Sequence, residues 1–283
     1  MPNTKIPFTF QGGDQISSGN FEVPESSRPD FRSCFVFAFP KSGSVLVNAI
    51  VQSVMNEWAV PVVDVPTQLY QQGIDIAAVQ CDLSQLFTRQ GYCYSGFREL
   101  PRSLLGSASI GSARKILVVR DPRDMLVSRY YSTKFSHGFA ERGSTQFSRV
   151  MAELIKDGEM DIDAYCLYYS WMINSQLLSH ADIISDRKTL VLRYEEFVYD
   201  KLGLVQQLCD WFSVGLSSER IEAIAADHDV IPEKERADQH VRQAHPGDYR
   251  RKLKPETISA LNAVLERYFM TFGYDVLGAS WRI

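Results

Sequence analysis

Hydrophobic positions along the chain switch repeatedly between a continuous or alternating pattern and a helical one. Cys34-Phe35-Val36-Phe37-Ala38-Phe39 is an unbroken apolar run, closed by Pro40 and Gly43, and predicts a buried strand. Val47, Ile50, Val51, Val54, Met55 and Trp58 then recur at helical spacing. Val62 to Val65 predicts a short strand and Tyr92 to Phe97 a second core strand, with Pro101 stopping any helix that would reach back through Leu100. Lys115 to Val119 is a β-branched strand core. Asp121 follows as a helix N-cap, Pro122 at the first helical position and Asp124 in the first turn. Helices are expected over residues 151–155, 164–178 and 204–212, a strand over 189–192, and a helix opened by the cap at Ser217. A last amphipathic helix starts at Pro255 and carries Ile258, Leu261, Leu265 and Tyr268.

This alternation of strand and helix from Cys34 to Leu192 predicts a single α/β domain. Its expected architecture is a mainly parallel sheet of about five strands flanked by helices on both faces, with a P-loop-like strand-loop-helix at its start. Residues 31–283 are read as that domain. Residues 1–30, with Gly12-Gly13, Ser17-Ser18-Gly19 and Pro24, are read as an irregular N-terminal arm. The aromatic stripe Tyr165, Tyr168, Tyr169, Trp171 and Met172 is read as core packing.

Composition narrows the function without naming it. A net charge of −4 and a pI near 5.8 argue against a general nucleic-acid binder. Five cysteines, an odd number with no Cys-x-x-Cys pair, make neither a disulfide framework nor a zinc site, and suit a reducing compartment. No Asp/Glu/His cluster has metal-ligand spacing, so no metal is expected. No apolar run approaches the ~20 residues of a membrane span, and the N-terminus lacks a signal pattern. A cytoplasmic protein is expected.

Candidate chemistry centres on Lys41-Ser42-Gly43-Ser44. A strand, a tight loop and a helix in that order aim a helix N-terminus and backbone N–H groups at one point, which makes an anion site. Lys41 adds a charge, and Ser42 and Ser44 add hydroxyls. A Walker A loop places its Lys after the last Gly, and no such run is present. Pro40 to Ser44 resembles the phosphate loop of the sulfotransferases that use 3′-phosphoadenosine 5′-phosphosulfate (PAPS), usually Pro-Lys-Ser-Gly-Thr. Ser44 keeps the hydroxyl of that Thr, while Val45 and Leu46 stand where the family often has Thr and Trp.

Further segments resemble the same family, in the same order. Arg120-x-x-x-Asp124 followed by Val127-Ser128-x-Tyr130-Tyr131 resembles its second signature, which implies a 3′-phosphate held by Arg120 and Ser128. Leu192 to Glu195 resembles its Leu-x-Tyr-Glu segment, which implies that Tyr194 approaches the adenine. Arg242-Gln243-Ala244 through Gly247-Asp248-Tyr249 resembles Arg-Lys-Gly-x-x-Gly-Asp-Trp. Gln243 replaces a Lys there, so 3′-phosphate binding would lean on Arg120 and Arg242. Ala244 replaces a Gly that permits unusual backbone angles. The family's general base, His or in some branches Glu, stands shortly before a Leu-Pro, which makes Glu99, ahead of Leu100-Pro101, the expected base. Thr257-Ile258 ends in Asn262 without the spaced Lys of the dimer contact that many cytosolic relatives carry.

The resemblance runs from Phe35 to Tyr274 and implies a PAPS-dependent sulfotransferase. Lys41 and Glu99 are its implied catalytic residues. Lys41, Ser42, Gly43, Ser44, Val45, Arg120, Ser128, Tyr194, Arg242, Gln243 and Ala244 are its implied donor contacts. PAPS would be the co-substrate, 3′,5′-adenosine bisphosphate (PAP) the product, and a small molecule, lipid or glycan with a hydroxyl or amine the acceptor. Read from the residues, His137 and His245 are alternative bases. A P-loop-type kinase and a non-catalytic nucleotide-binding relative remain alternatives that a donor assay separates.

Overall fold

The computed structural model describes residues 3–12, 15–74, 86–98, 108–136, 146–229 and 244–276. The described residues divide into two compact units. Residues 3–12, 15–74, 86–98, 108–118 and 182–229 make up the first, and residues 119–136, 146–181 and 244–276 the second.

In the first unit, β1 (Asn3–Gly12) and β2 (Gln15–Pro24) form an antiparallel ribbon. This corrects the irregular arm expected for residues 1–30. Phe8, Phe21 and Val23 are buried from it. The outer edge of β2 is satisfied by side chains rather than by a third strand. Gln68 accepts from Glu22 N and donates to Glu22 O, both at 2.9 Å, and Gln72 donates to Asn20 O at 3.0 Å. A glutamine amide pairing with a strand residue in both directions copies a ladder step.

β3 (Cys34–Ala38) lies in the middle of the five-stranded sheet, ordered β4 (Val62–Asp64), β5 (Cys93–Phe97), β3, β6 (Arg114–Val119) and β7 (Thr189–Arg193). The pairs β3·β5, β3·β6 and β4·β5 are parallel. All five β3 residues are buried, as the continuous apolar run requires of a strand covered on both faces. Phe35, Phe37, Phe87, Tyr94 and Phe97 cluster there, with ring centroids 4.8–6.4 Å apart. Helices α1 (Ser44–Glu57) and α2 (Val65–Gln71) pack on β5. The unit is completed by α3 (Ala108–Ser112), α8 (Tyr194–Phe197), α9 (Lys201–Phe212) and α10 (Ser218–Asp227).

The second unit is helical. α4 (Pro122–Tyr131) opens at the expected cap, where Asp121 Oδ1 accepts from Arg123 N at 2.9 Å, and passes into a π-turn over Ser132–Ser136. It packs on α6 (Ile162–Ser179), which also receives α12 (Pro255–Val264) and α13 (Glu266–Phe272). α5 (Gln146–Lys156) and α11 (Tyr249–Lys252) are its other helices, and α7 (Ala181–Ser185) carries the chain back to the first unit. Asn262, the position where the expected dimer contact lapses, is used internally. It accepts from Arg123 Nη1 at 2.8 Å and donates to Val276 O at 3.1 Å.

Candidate active site

The loop between β3 and α1 closes on itself before the helix begins. Ser42 N and Ser42 Oγ both donate to Phe39 O, at 3.2 and 2.6 Å. The Ser42 hydroxyl is therefore spent on the turn and fully buried. Lys41 has φ +68° and Gly43 φ +94°, with Ser42 between them on the ordinary negative side. Alternating signs of φ turn successive N–H groups toward one side, a nest that binds anions. The first helical bond runs from Val47 N to Gly43 O at 3.2 Å, so the amides of Ser44, Val45 and Leu46 precede the helical ladder. The first turn holds no acidic residue, and among the described residues no capping side chain competes for them. Lys41 holds a left-handed backbone that a non-glycine residue adopts at some cost, as functional loops do.

Two further side chains of the first unit complete this loop. Arg98 leaves the carboxyl end of β5, beside the exit of β3, and its Nε donates to Ser44 Oγ at 3.3 Å. Its place beside Ser44 follows from the parallel pairing of the two strands. Tyr194 is buried and packs over Gly43 and edge-on to Phe197, with centroids 5.6 Å apart.

In the second unit, Arg120 and Asp124 make a buried ion pair, Nη2 to Oδ2 at 3.7 Å. Asp124 also accepts from Gly247 N at 2.7 Å and Tyr249 N at 3.0 Å. Burial pushes its carboxyl up from the usual value, while the Arg120 guanidinium pulls it back. Through this one carboxylate the segment that follows Arg242 and Gln243 is tied to Arg120. Tyr268 OH donates to Arg120 O at 3.1 Å. Ser128 lies half-buried on α4.

Arg123 is a residue the sequence reading missed. It is buried, with Nε donating to Asp121 Oδ1 at 3.0 Å and Nη2 to Oδ2 at 2.6 Å. Its guanidinium stacks on Tyr249 at 4.1 Å and Phe269 at 4.7 Å. Tyr249, standing where a Trp was expected, supplies that aromatic face. Ala244, which replaces the expected Gly, is buried. Gly247 holds a positive φ of +86°. His245 is exposed. Glu99, His137, Arg242 and Gln243 lie outside the described residues.

Among the described residues, no group of His, Cys, Asp or Glu could hold a metal ion. Cys34, Cys93, Cys166 and Cys209 are buried free thiols. No described helix is long and apolar enough to cross a membrane.

Residues 32–273 match the model of the sulfotransferase domain. A mouse protein, sulfotransferase 2B1, is 27% identical over 128 residues, 45% of this chain and 35% of the relative. The chain thus spans about a third of that relative's length. Two solved structures share the fold at 14% identity. Mouse sulfotransferase SULT7A1 complexed with PAP has a TM-score of 0.55 over 87% of this chain and 91% of its own. Retinol dehydratase in complex with androsterone and inactive cofactor PAP has a TM-score of 0.50 over 95% and 90%. The family match covers most of the sequence and contains both the Lys41 loop and the Arg120–Asp124 pair: this chain belongs to the sulfotransferase domain family.

Proposed function

We propose that the protein transfers a sulfuryl group from PAPS to a hydroxyl or amine of a small-molecule acceptor. The observation that carries this reading is the β3–α1 loop, where a nest of amides, an uncapped helix end and Lys41 meet. A strongly anionic 5′-phosphosulfate is the group such a loop suits. Arg120, Ser128 and Arg242 would take the 3′-phosphate, as the family motifs imply. Tyr194 would serve the loop first, and the adenine through it.

In this reading the acceptor oxygen or nitrogen attacks sulfur while the bond from sulfur to the bridging phosphate oxygen breaks, giving a sulfated acceptor and PAP. Glu99 takes the acceptor's proton. Lys41 and the loop amides neutralise charge gathering on the departing phosphate, where positioned donors act most strongly. The acceptor class is supported by neighbours of the same fold, whose structures hold androsterone or retinol beside PAP.

The test is transfer of labelled sulfate from PAPS to a panel of alcohols, sterols and amines, alongside PAP binding by calorimetry. Transfer to any acceptor, reduced ~10²–10⁴-fold by Glu99→Gln with PAP binding intact, supports the reading. ATP turnover in place of PAPS use would make it a kinase. PAP binding without transfer to any acceptor would make it a non-catalytic relative.

A further inference from the structure

The long helix α6 is apolar on both of its faces. Its inner face buries Tyr165, Cys166, Tyr169, Ile173 and Leu177 against the second unit. Its outer face carries Leu167, Tyr168, Trp171 and Leu178, 40%, 44%, 56% and 57% exposed, at spacings of one, three and seven residues. A helix with only one packed side should show charge on the other. Between Asp163 and Asp182 there is no Asp, Glu, Lys or Arg. Val264, 46% exposed, adjoins the stripe, since Asn174 on α6 donates to its carbonyl at 2.9 Å.

We infer that this face is a homodimer interface, in which α6 packs antiparallel against α6 of a second copy. Size complementarity along the helix motivates that occupant. With the two-fold axis level with Ile173, Trp171 stands opposite Ser175 of the second copy, Tyr168 opposite Leu178, and Leu167 opposite Ser179. Trp171 and Leu167 then meet small side chains, and the contact is self-complementary, as an isologous interface requires. Ser175 and Ser179 are exposed on this same face. The area fits as well. Leu167, Tyr168, Trp171, Leu178 and Val264, each about half exposed, present on the order of 500 Å² of apolar surface. A standard interface needs ~800 Å² per side, of which ~65% is apolar in homodimers. A face free of charge brings no like-charge repulsion when it meets its own copy. A membrane-surface helix, in contrast, carries Lys and Arg along its polar flank, and α6 has none.

Sedimentation of the full chain from ~1 to ~100 μM tests the inference. The wild type should dimerise, and W171E should weaken the dimer ~100-fold or more with its circular dichroism spectrum unchanged. W171E/S175R should regain the dimer, because each introduced carboxylate then faces the introduced guanidinium of the other copy. L178E, nearer the helix end, serves should W171E fail to fold, and should also dissociate the dimer. A wild type that stays monomeric throughout, or a dimer that W171E and L178E leave intact, would overturn the inference. A double variant that remains monomeric would overturn the antiparallel pairing. Flotation of monomer with anionic phospholipid vesicles would assign the face to a membrane instead.

Discussion

Tyr194 covers Gly43 so closely that a Cβ on the glycine would stand 2.6 Å from Tyr194 Cδ2. The β3–α1 loop is therefore held from two directions: its own turn at Phe39, and the aromatic ring that follows β7. Gly43 also needs φ +94°, so an added methyl meets both a backbone cost and the ring.

Gly43→Ala should cost ~1–3 kcal/mol of stability, measured by urea unfolding, and weaken PAP binding. Tyr194→Ala removes the obstacle but not the backbone cost. In that background Gly43→Ala should therefore cost less than it does alone. Equal costs in both backgrounds would show that the ring does not brace the loop.

In the proposed function Arg120 serves the nucleotide, while Asp124 serves the fold. Charge-assisted hydrogen bonds to phosphate are worth roughly 1.5–3 kcal/mol. Arg120→Ala should weaken PAP by about ten- to a hundredfold and barely change adenosine 5′-phosphate, which has no 3′-phosphate. Equal losses for both nucleotides in calorimetry would remove Arg120 from the 3′-phosphate.

Asp124→Asn should act on stability first. An amide can keep only one of the two carboxylate acceptors facing Gly247 N and Tyr249 N, and it loses the ion pair with Arg120. A cost of ~1–3 kcal/mol in denaturant unfolding is expected. Hydrogen exchange at the Gly247 and Tyr249 amides should quicken with it. Unchanged protection there would mean that Asp124 does not hold the segment.

What the sequence disclosed and what it hid differ in range. The β3 strand and α1 helix were legible because an apolar run, two breakers and a change of period sit within 25 consecutive residues. Asp121 was legible as a cap for the same local reason. The ribbon of β1 and β2 left a fainter trace: Ile6, Phe8 and Phe10 alternate, as do Phe21 and Val23, around Gly12-Gly13, but Ser17-Ser18-Gly19 interrupts the second half. Its closure by Gln68 and Gln72 has no sequence signature, since those residues lie on a helix and just past its end, some fifty positions away. Asp124 bonds across 123 and 125 residues, and Tyr194 meets Gly43 from the far end of the sheet order, so no spacing rule reaches either. Arg98 became visible beside Ser44 only once β5 was known to pair with β3. The outer face of α6, read as core from its aromatic stripe, holds Tyr168 and Trp171 exposed.

His180 gives the fold a dependence on pH that the sequence does not signal. It caps α6, fully buried, and its Nδ1–H donates to Gln176 O at 2.8 Å. Burial lowers its pKa below the usual 6.5, with the bond to Gln176 opposing. As pH falls through ~6.5 the unfolded chain takes up a proton at this residue that the folded chain does not, so folding stability falls. The loss continues down to the folded pKa and then levels off. Above ~7 the residue is neutral in both states and contributes no slope. A single proton sets the limit at ~1.4 kcal/mol per pH unit. His180→Gln keeps a donor for Gln176 and cannot titrate. Urea unfolding of both proteins between pH 5 and 8 should therefore show wild type losing stability relative to the variant only on the acid side. A difference that stays constant with pH would mean that His180 is protonated alike in both states, and the burial argument would fail.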